Sequence, residues 1–292
     1  MTTRTRFDAS LPTALIDPAV ANALAEDLGL AGDITTDSTI APHLTATALF
    51  AVRKPGVIAG LDVAAAAFRH LDADVSFTPL VADGAHVEAG ATLARVSGRA
   101  RSLLTGERVA LNFLGRMSGI ATLTRSYVEA VAGTRAHIID TRKTTPGLRA
   151  FEKYAVRAGG GMNHRIGLFD AVLIKDNHIA VAGGIAAAIT AAKSRAGHMV
   201  KVEVEVDTLD QLRQALQHPI DAVLLDNMSP QQLAEAVKMV DGRVITEASG
   251  GVNLNTVRAI ADAGVDLISI GALTHSASVL DIGLDIEIAP QA

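Results

Sequence analysis

From residue 137 onward, aliphatic runs of four to seven residues alternate with stretches in which apolar residues recur at helical spacing. The runs fall at 137–140, 171–175, 200–206, 222–226, 244–249 and 267–271, and the helical stretches near 148–158, 183–195, 208–217, 229–240 and 253–263. Single helices between strands, with no hairpin signal, require parallel pairing through right-handed crossovers. A doubly wound sheet would satisfy that, and so would a barrel. Functional-looking residues end every one of the six strands, which favours a barrel, because barrels gather their sites at the C-terminal ends of their strands. With six units, the barrel is expected to be shortened or incomplete.

The first hundred residues have another rhythm. A helix is predicted over 18–29, with Pro18 in its first turn and Gly29 closing it. GDITTDSTI follows as a polar loop, then a strand over 46–54, an alanine-rich helix over 60–71 and a strand over 74–80. In DGAHVEAGATLARVSG, turn signals at Asp83-Gly84 and Glu88-Ala89-Gly90 separate short apolar pieces. The segment resembles the turns of lipoyl and biotinyl carrier domains but lacks the lysine they modify, so it reads as a plain β-hairpin. A long helix runs from 105 or 106 to about 131, with a domain boundary near its first turns. In the tail, Ile282, Leu284, Ile286 and Ile288 alternate with polar residues, which suits a strand returning to the antiparallel N-terminal part.

Composition narrows what such a chain can do. Its 292 residues can bury a large core, while a net charge of −5 gives no general attraction to nucleic acid or acidic membranes. Any affinity for anions must be local. The absence of cysteine removes disulfides, thiolate metal sites and thiol nucleophiles. No window approaches the roughly 20 apolar residues of a membrane span, and MTTRTRFDASLPTALIDP has no signal-peptide core, so a cytoplasmic protein is expected. There is no Walker loop, no GxSxG elbow and no dinucleotide-binding glycine fingerprint.

The candidate chemistry sits at strand ends. Arg142 and Lys143 follow the first run, Lys175 follows the second, and between them a glycine triplet at 159–161 leads into Asn163, His164 and Arg165. Prolines, glycines and strand ends around these cations argue for an anion site over a solvated basic rim. In KVEVEVD, alternation puts Val202, Val204 and Val206 on one face and Lys201, Glu203, Glu205 and Asp207 on the other. Charges inside a parallel sheet are costly unless they pair or meet a ligand. Either they form an ion-pair network with Lys175 or Lys201, or Glu205 faces a polyhydroxylated or metal-bound substrate. Asp226, ending the next strand, puts a second carboxylate beside Glu205, an arrangement suited to magnesium or ribose hydroxyls. As a helix cap it is redundant with Ser229-Pro230. Ser249, Gly250 and Gly251 after the fifth strand, with Asn253 capping the helix behind, and Gly271 and Ala272 after the sixth, suit a phosphate. No zinc-like spacing occurs, and most of the nine histidines read as surface residues.

In order, ERVALNFLGRMSGIAT, DTRKTTPGLR, EKYAVRAGGGMNHRIGLFDAVLIKDNH, VEVEVD, VLLDNM, EASGG and ISIGALTHS resemble the quinolinate phosphoribosyltransferases over nearly the whole chain. The resemblance implies an α/β fold with an N-terminal sandwich domain over 1–112, which 276–292 rejoins, and an incomplete parallel α/β barrel over 113–275. It implies conversion of quinolinate and phosphoribosyl pyrophosphate to nicotinate mononucleotide, pyrophosphate and carbon dioxide, with Mg2+, in NAD synthesis. Arg142, Lys143, His164, Arg165 and Lys175 match the positions around the dicarboxylate and pyrophosphate. Glu205 and Asp226 match the acidic pair at ribose and magnesium. Ser249, Gly250, Gly251, Gly271 and Ala272 match the 5′-phosphate loops, and Arg108 the arginine that enters a neighbouring subunit's site in a homodimer or larger assembly. Lys143, Lys175, Glu205 and Asp226 are the expected catalytic set. Two alternatives stay open: an enzyme of the same fold acting on another aromatic acid, and a non-catalytic phosphosugar-binding barrel.

Overall fold

The computed structural model describes residues 10–287; what was read above from residues 1–9 and from Ile288 lies outside the described residues. The chain gathers into two compact units, one holding residues up to Leu123, Thr145–Gly160 and those from Ser276 on, the other Thr124–Thr144 and Gly161–His275. In chain order the elements are α1 (Thr13–Leu28), α2 (Ile34–Thr39), β1 (Thr45–Val52), β2 (Gly56–Val57), α3 (Leu61–Leu71), β3 (Ser76–Pro79), β4 (His86–Val87), β5 (Thr92–Arg99) and α4 (Ala100–Ala130). There follow β6 (His137–Ile139), α5 (Arg149–Ala158), β7 (Val172–Ile174), α6 (Asp176–Ala182), α7 (Ile185–Arg195), β8 (Val202–Val206) and α8 (Leu209–Ala215). The chain closes with β9 (Ala222–Asp226), α9 (Pro230–Val240), β10 (Ile245–Ser249), α10 (Val257–Asp262), β11 (Leu267–Ser269), α11 (Ala272–His275) and β12 (Ile282–Glu287).

In the first unit an antiparallel sheet runs β12-β1-β5-β3, with the tail strand β12 paired along β1. Phe50 of β1, Phe77 of β3 and Phe68 of α3 meet with ring centroids 5.7 to 6.2 Å apart. Such pairs add about 0.5–1.5 kcal/mol to what burial contributes. The approach to β12 crosses α4 at its glycines: a Cβ on Gly119 would stand 2.0 Å from the Ser278 carbonyl oxygen, and Leu280 N–H donates to the Gly115 carbonyl at 2.9 Å.

Several local expectations change here. Helix α1 begins at Thr13, so Pro18 lies inside it; the buried stripe Ile16, Val20 and Leu24 starts before the proline and draws that turn into the core. The loop GDITTDSTI contains α2, because the Asp33 carboxylate accepts from Thr36 N–H at 2.9 Å and caps a turn. The expected hairpin after Asp83 does not form: β4 pairs with β2, while β5 lies between β1 and β3. The physical reason is Asp83 itself. Its carboxylate accepts from Gly60 N–H at 2.8 Å and Leu61 N–H at 3.3 Å, tying the turn to the start of α3 and carrying β4 away from β5. Helix α4 starts at Ala100, five residues earlier than expected, because Ala100 N–H is already satisfied by the Leu44 carbonyl.

The second unit is a six-stranded parallel sheet in the order β6-β11-β10-β9-β8-β7. That is the cyclic order of a six-stranded barrel opened between its first and second strands. The middle of the segment joining those two strands, Thr145–Gly160 with α5, gathers into the first unit, so no crossover helix of this unit draws β6 against β7. At the opening there is an isolated bridge between Ile139 and Met162. Val202, Val204 and Val206 of β8 are buried on the face that receives α7 and α8, leaving the alternate positions to the interior. Of the four charges expected on that interior face, only Glu203 and Glu205 are there; Lys201 and Asp207 are exposed at the strand ends, and Lys201 pairs with Asp221 at 3.2 Å. Asn253 does not cap α10. Its carbonyl accepts from Thr256 and Val257 N–H, and its side chain from Asn255 N–H, so it builds the preceding turn.

Candidate active site

All six parallel strands deliver residues to one cavity of about 400 Å³ in the second unit. Arg142 and Lys143 come from the loop after β6, Lys175 from the end of β7 and Glu205 from β8. Asp226 ends β9, Glu247 and Ser249 lie on β10, and Ser269 ends β11. His164 and Arg165 come from the loop before β7. Strand periodicity explains the set: Glu205, Asp226, Ser249 and Ser269 are each the last or next-to-last residue of a strand whose preceding neighbour packs outward.

The cations are held differently. Lys175 is ion-paired with Glu205. The Lys143 backbone is pinned from both sides, its N–H donating to Thr141 Oγ1 at 3.0 Å and its carbonyl accepting from Thr274 Oγ1 at 2.6 Å. A Cβ on Gly271 would come within 2.9 Å of Lys143 Cδ, so the glycine makes room for that lysine's stem. Among the described residues no carboxylate pairs with Arg142 or Lys143. Burial, and then the charge of Arg142, push the Arg165 guanidinium below its ordinary pKa, although no accessible pH discharges it. Arg165 donates to the Ala171 carbonyl at 3.1 Å, while its Nε is buried without a partner. Two guanidiniums that repel each other in one cavity suit an acidic ligand.

Beneath them lies a histidine–carboxylate cluster. His164 Nδ1 accepts from Arg165 N–H at 2.7 Å, which assigns the ring proton to Nε2, where it points to Glu203 at 3.0 Å and Glu247 at 3.6 Å. His164, Glu203 and Glu247 bring their donor atoms within 4.8 Å of one another. With the proton on Nε2 and Nδ1 already engaged, the ring offers no lone pair to a metal, so the trio is a hydrogen-bonded cluster. Glu247 is wholly buried, and burial, followed by the Glu203 charge, raises its pKa well above the ordinary glutamate value. Asp140, also fully buried, accepts from His164 N–H at 2.9 Å and Asn163 Nδ2 at 2.6 Å.

On the acidic side, Asp226 accepts from Asn227 Nδ2 at 2.6 Å rather than capping α9, whose cap is Ser229. Asn227 is left-handed at φ 54°, and a Cβ on Gly250, itself at φ 93°, would stand 2.1 Å from Asn227 Oδ1. Gly250 thus leaves space for the side chain that steadies Asp226. Gly251, at φ 60°, has open space where a Cβ would be.

Of the residues expected at the site, Arg142, Lys143, His164, Arg165, Lys175, Glu205, Asp226 and Ser249 line the cavity together. Gly250, Gly251, Gly271 and Ala272 do not line it, and Arg108 is exposed on α4 in the first unit. Sequence reasoning missed Glu247, Ser269 and the part played by Asp140. The period of two in TEAS placed Glu247 on the same face as Ser249, which was the available signal for it.

Two family models match the chain: "Quinolinate phosphoribosyl transferase, N-terminal domain" over residues 33–118 and "Quinolinate phosphoribosyl transferase, C-terminal domain" over 120–285. A nicotinate-nucleotide pyrophosphorylase [carboxylating] of Mycobacterium leprae is 46% identical over 285 residues, covering 96% of this chain and 98% of the relative. A probable nicotinate-nucleotide pyrophosphorylase [carboxylating] of Bacillus subtilis is 43% identical, covering 91% of this chain and 92% of the relative. The solved structure of the nicotinate-nucleotide pyrophosphorylase from Francisella tularensis superposes with a TM-score of 0.91 at 42% identity, covering 95% of this chain and 98% of that one.

Proposed function

The chain belongs to the quinolinate phosphoribosyltransferase family, and from that premise we propose how its own residues join quinolinate to phosphoribosyl pyrophosphate, giving nicotinate mononucleotide, pyrophosphate and carbon dioxide for NAD synthesis. The observation that carries the assignment is the pair of mutually repelling guanidiniums, Arg142 and Arg165, in one cavity. A flat aromatic dicarboxylate satisfies both, each arginine gripping a carboxylate in bidentate fashion. His164, held by Glu203, frames the same substrate. Lys143 and Lys175 receive the pyrophosphate. Glu205 and Asp226 face the ribose, and Ser249 with the backbone around Gly250, Gly251, Gly271 and Ala272 takes the 5′-phosphate. Arg108 serves the site of a second copy in a homodimer.

These roles make a reaction with little acid–base work. The pyridine nitrogen is already a nucleophile, so the protein's task is to align it with C1′ of the ribose and to balance charge on both sides. The N–C1′ bond forms as the C1′–O bond breaks and its electron pair leaves with pyrophosphate toward Lys143 and Lys175. Glu205 and Asp226 stabilise the positive charge that develops on the ribose. Quaternised, the ring nitrogen becomes an electron sink. The bond from C2 to its carboxylate breaks, carbon dioxide leaves, and the pair left on C2 takes a proton from solvent. Two carboxylates facing one cavity are hard oxygen donors that fit Mg2+, and Glu205 and Asp226 would hold it, where it neutralises diphosphate charge when bound.

We also place the chain in the cytoplasm, where phosphorylated sugars that do not cross membranes are made; no helix of the described residues is long and apolar enough to cross a membrane. Incubation with phosphoribosyl pyrophosphate, Mg2+ and either quinolinate or nicotinate tests the substrate: product from nicotinate alone would overturn the assignment. For the shared site, inactive Arg108→Ala and Lys143→Ala chains are mixed. Hybrid dimers should regain activity, and a mixture that stays inactive contradicts the role given to Arg108.

A further inference from the structure

We propose that Asp140 is a positioning residue for the dicarboxylate site: its carboxylate stitches the open seam of the barrel and so sets His164 and Arg165 opposite Arg142. This rests on the assignment of quinolinate to those three residues.

The seam lies between β6 and β7, the two edges of the parallel sheet, which share no ladder. The loop through 162–165 occupies it, and its backbone is tied to β6. Met162 N–H donates to the Ile138 carbonyl at 2.9 Å, and Asp140 N–H to the Met162 carbonyl at 3.2 Å. The Asp140 side chain then continues where the backbone pairing stops. One carboxylate oxygen accepts from His164 N–H at 2.9 Å and the other from Asn163 Nδ2 at 2.6 Å. Two residues later the same strand end delivers Arg142. On the far side His164 reaches Glu203 of β8 at 3.0 Å, and Arg165 reaches the Ala171 carbonyl, just before β7, at 3.1 Å. The loop thus spans the gap from the first strand to the second and third.

Asp140 does not line the cavity and is fully buried, so it does not touch substrate. A buried carboxylate is costly unless donors converge on it. Two of those donors, His164 N–H and Asn163 Nδ2, come from the loop that carries two of the three dicarboxylate ligands. Loss of the Asp140 carboxylate leaves the backbone ties at Met162 in place but frees His164 N–H and the Asn163 side chain from β6, while Lys143, Glu205, Asp226 and Ser249 keep their own supports.

Steady-state kinetics on the full-length protein in both substrates tests this. Asp140→Ala should raise KM for quinolinate by about tenfold or more, the size of one lost charge-assisted hydrogen bond, and KM for phosphoribosyl pyrophosphate by less than about threefold. Asp140→Asn, which keeps an acceptor for His164 N–H, should recover most of the quinolinate affinity. Should Asp140→Ala not fold, Asn163→Ala removes one strand of the same anchor and should show the same selective rise. Equal changes in both KM values, no change in either, or an Asp140→Asn variant as weak as Asp140→Ala would overturn the positioning role while wild-type turnover of quinolinate stands. A wild-type protein that does not turn over quinolinate would instead overturn the functional assignment beneath it.

Discussion

Replacing Arg165 with methionine should weaken substrate binding and leave the empty protein no less stable. The side chain is half-buried, repelled by Arg142, and holds one hydrogen bond, to the Ala171 carbonyl; its Nε has no partner. Methionine keeps the apolar stem and removes the charge. The empty protein loses that hydrogen bond, about 1 kcal/mol, and the attraction of Glu203 and Asp170, but it gains relief from desolvation and from the Arg142 charge, the two largest influences on the guanidinium, so its melting temperature should stay within about 4 °C of wild type or rise. The complex fares differently. A bidentate guanidinium–carboxylate contact in a partly dehydrated cavity is worth about 3 kcal/mol, on the order of 100-fold in affinity. Calorimetric titration with quinolinate and a thermal melt without ligand measure the two halves. Quinolinate affinity within about threefold of wild type would refute the reasoning. So would a large drop in melting temperature with affinity lost in proportion, since that would make Arg165 a structural residue.

Three further outcomes follow from particular contacts. Because burial raises the Glu247 pKa, the folded state holds a proton that the unfolded chain releases once pH passes the ordinary glutamate range; stability should therefore be greatest below that range and fall as pH rises above it toward the raised pKa, and Glu247→Gln should flatten that slope in urea melts. Gly250→Ala places a Cβ against Asn227 at a left-handed backbone position and should cost about 2 kcal/mol or more, with KM for phosphoribosyl pyrophosphate rising as Asp226 loses its partner; an unshifted thermal melt would contradict the close approach. Lys175→Ala leaves Glu205 unpaired in the cavity and should lower both stability and kcat/KM, and adding Glu205→Gln should restore stability without activity; a double-mutant cycle with coupling below about 0.5 kcal/mol would dismiss the pair.

The parallel half of the fold was legible because its signal is local. Each strand is a run of aliphatic residues ending in a polar one, and KVEVEVD shows by alternation which side chains face inward. What escaped depended on partners distant in sequence. Asp83 reads as a turn residue, yet its carboxylate caps the backbone at Gly60 and Leu61 and sends β4 to β2. The helix after DTRKTTPG reads as a crossover. In the structure Glu152 takes Arg116 of α4 and Tyr154 donates to Asp83 at 2.6 Å, and α5 gathers with the first unit. Asp140 carries no motif signal beyond its place at a strand end, since its importance lies in an unpaired sheet edge that only the three-dimensional order reveals.

The central claim is that one cavity aligns quinolinate with phosphoribosyl pyrophosphate and that decarboxylation follows from the new N–C1′ bond. Quinolinate labelled at its 2-carboxyl carbon tests it most directly, with labelled carbon dioxide and pyrophosphate followed together. The account predicts that label is released only when phosphoribosyl pyrophosphate is present, one carbon dioxide for each pyrophosphate. Release without phosphoribosyl pyrophosphate, or pyrophosphate formed while the label stays on the ring, would contradict it.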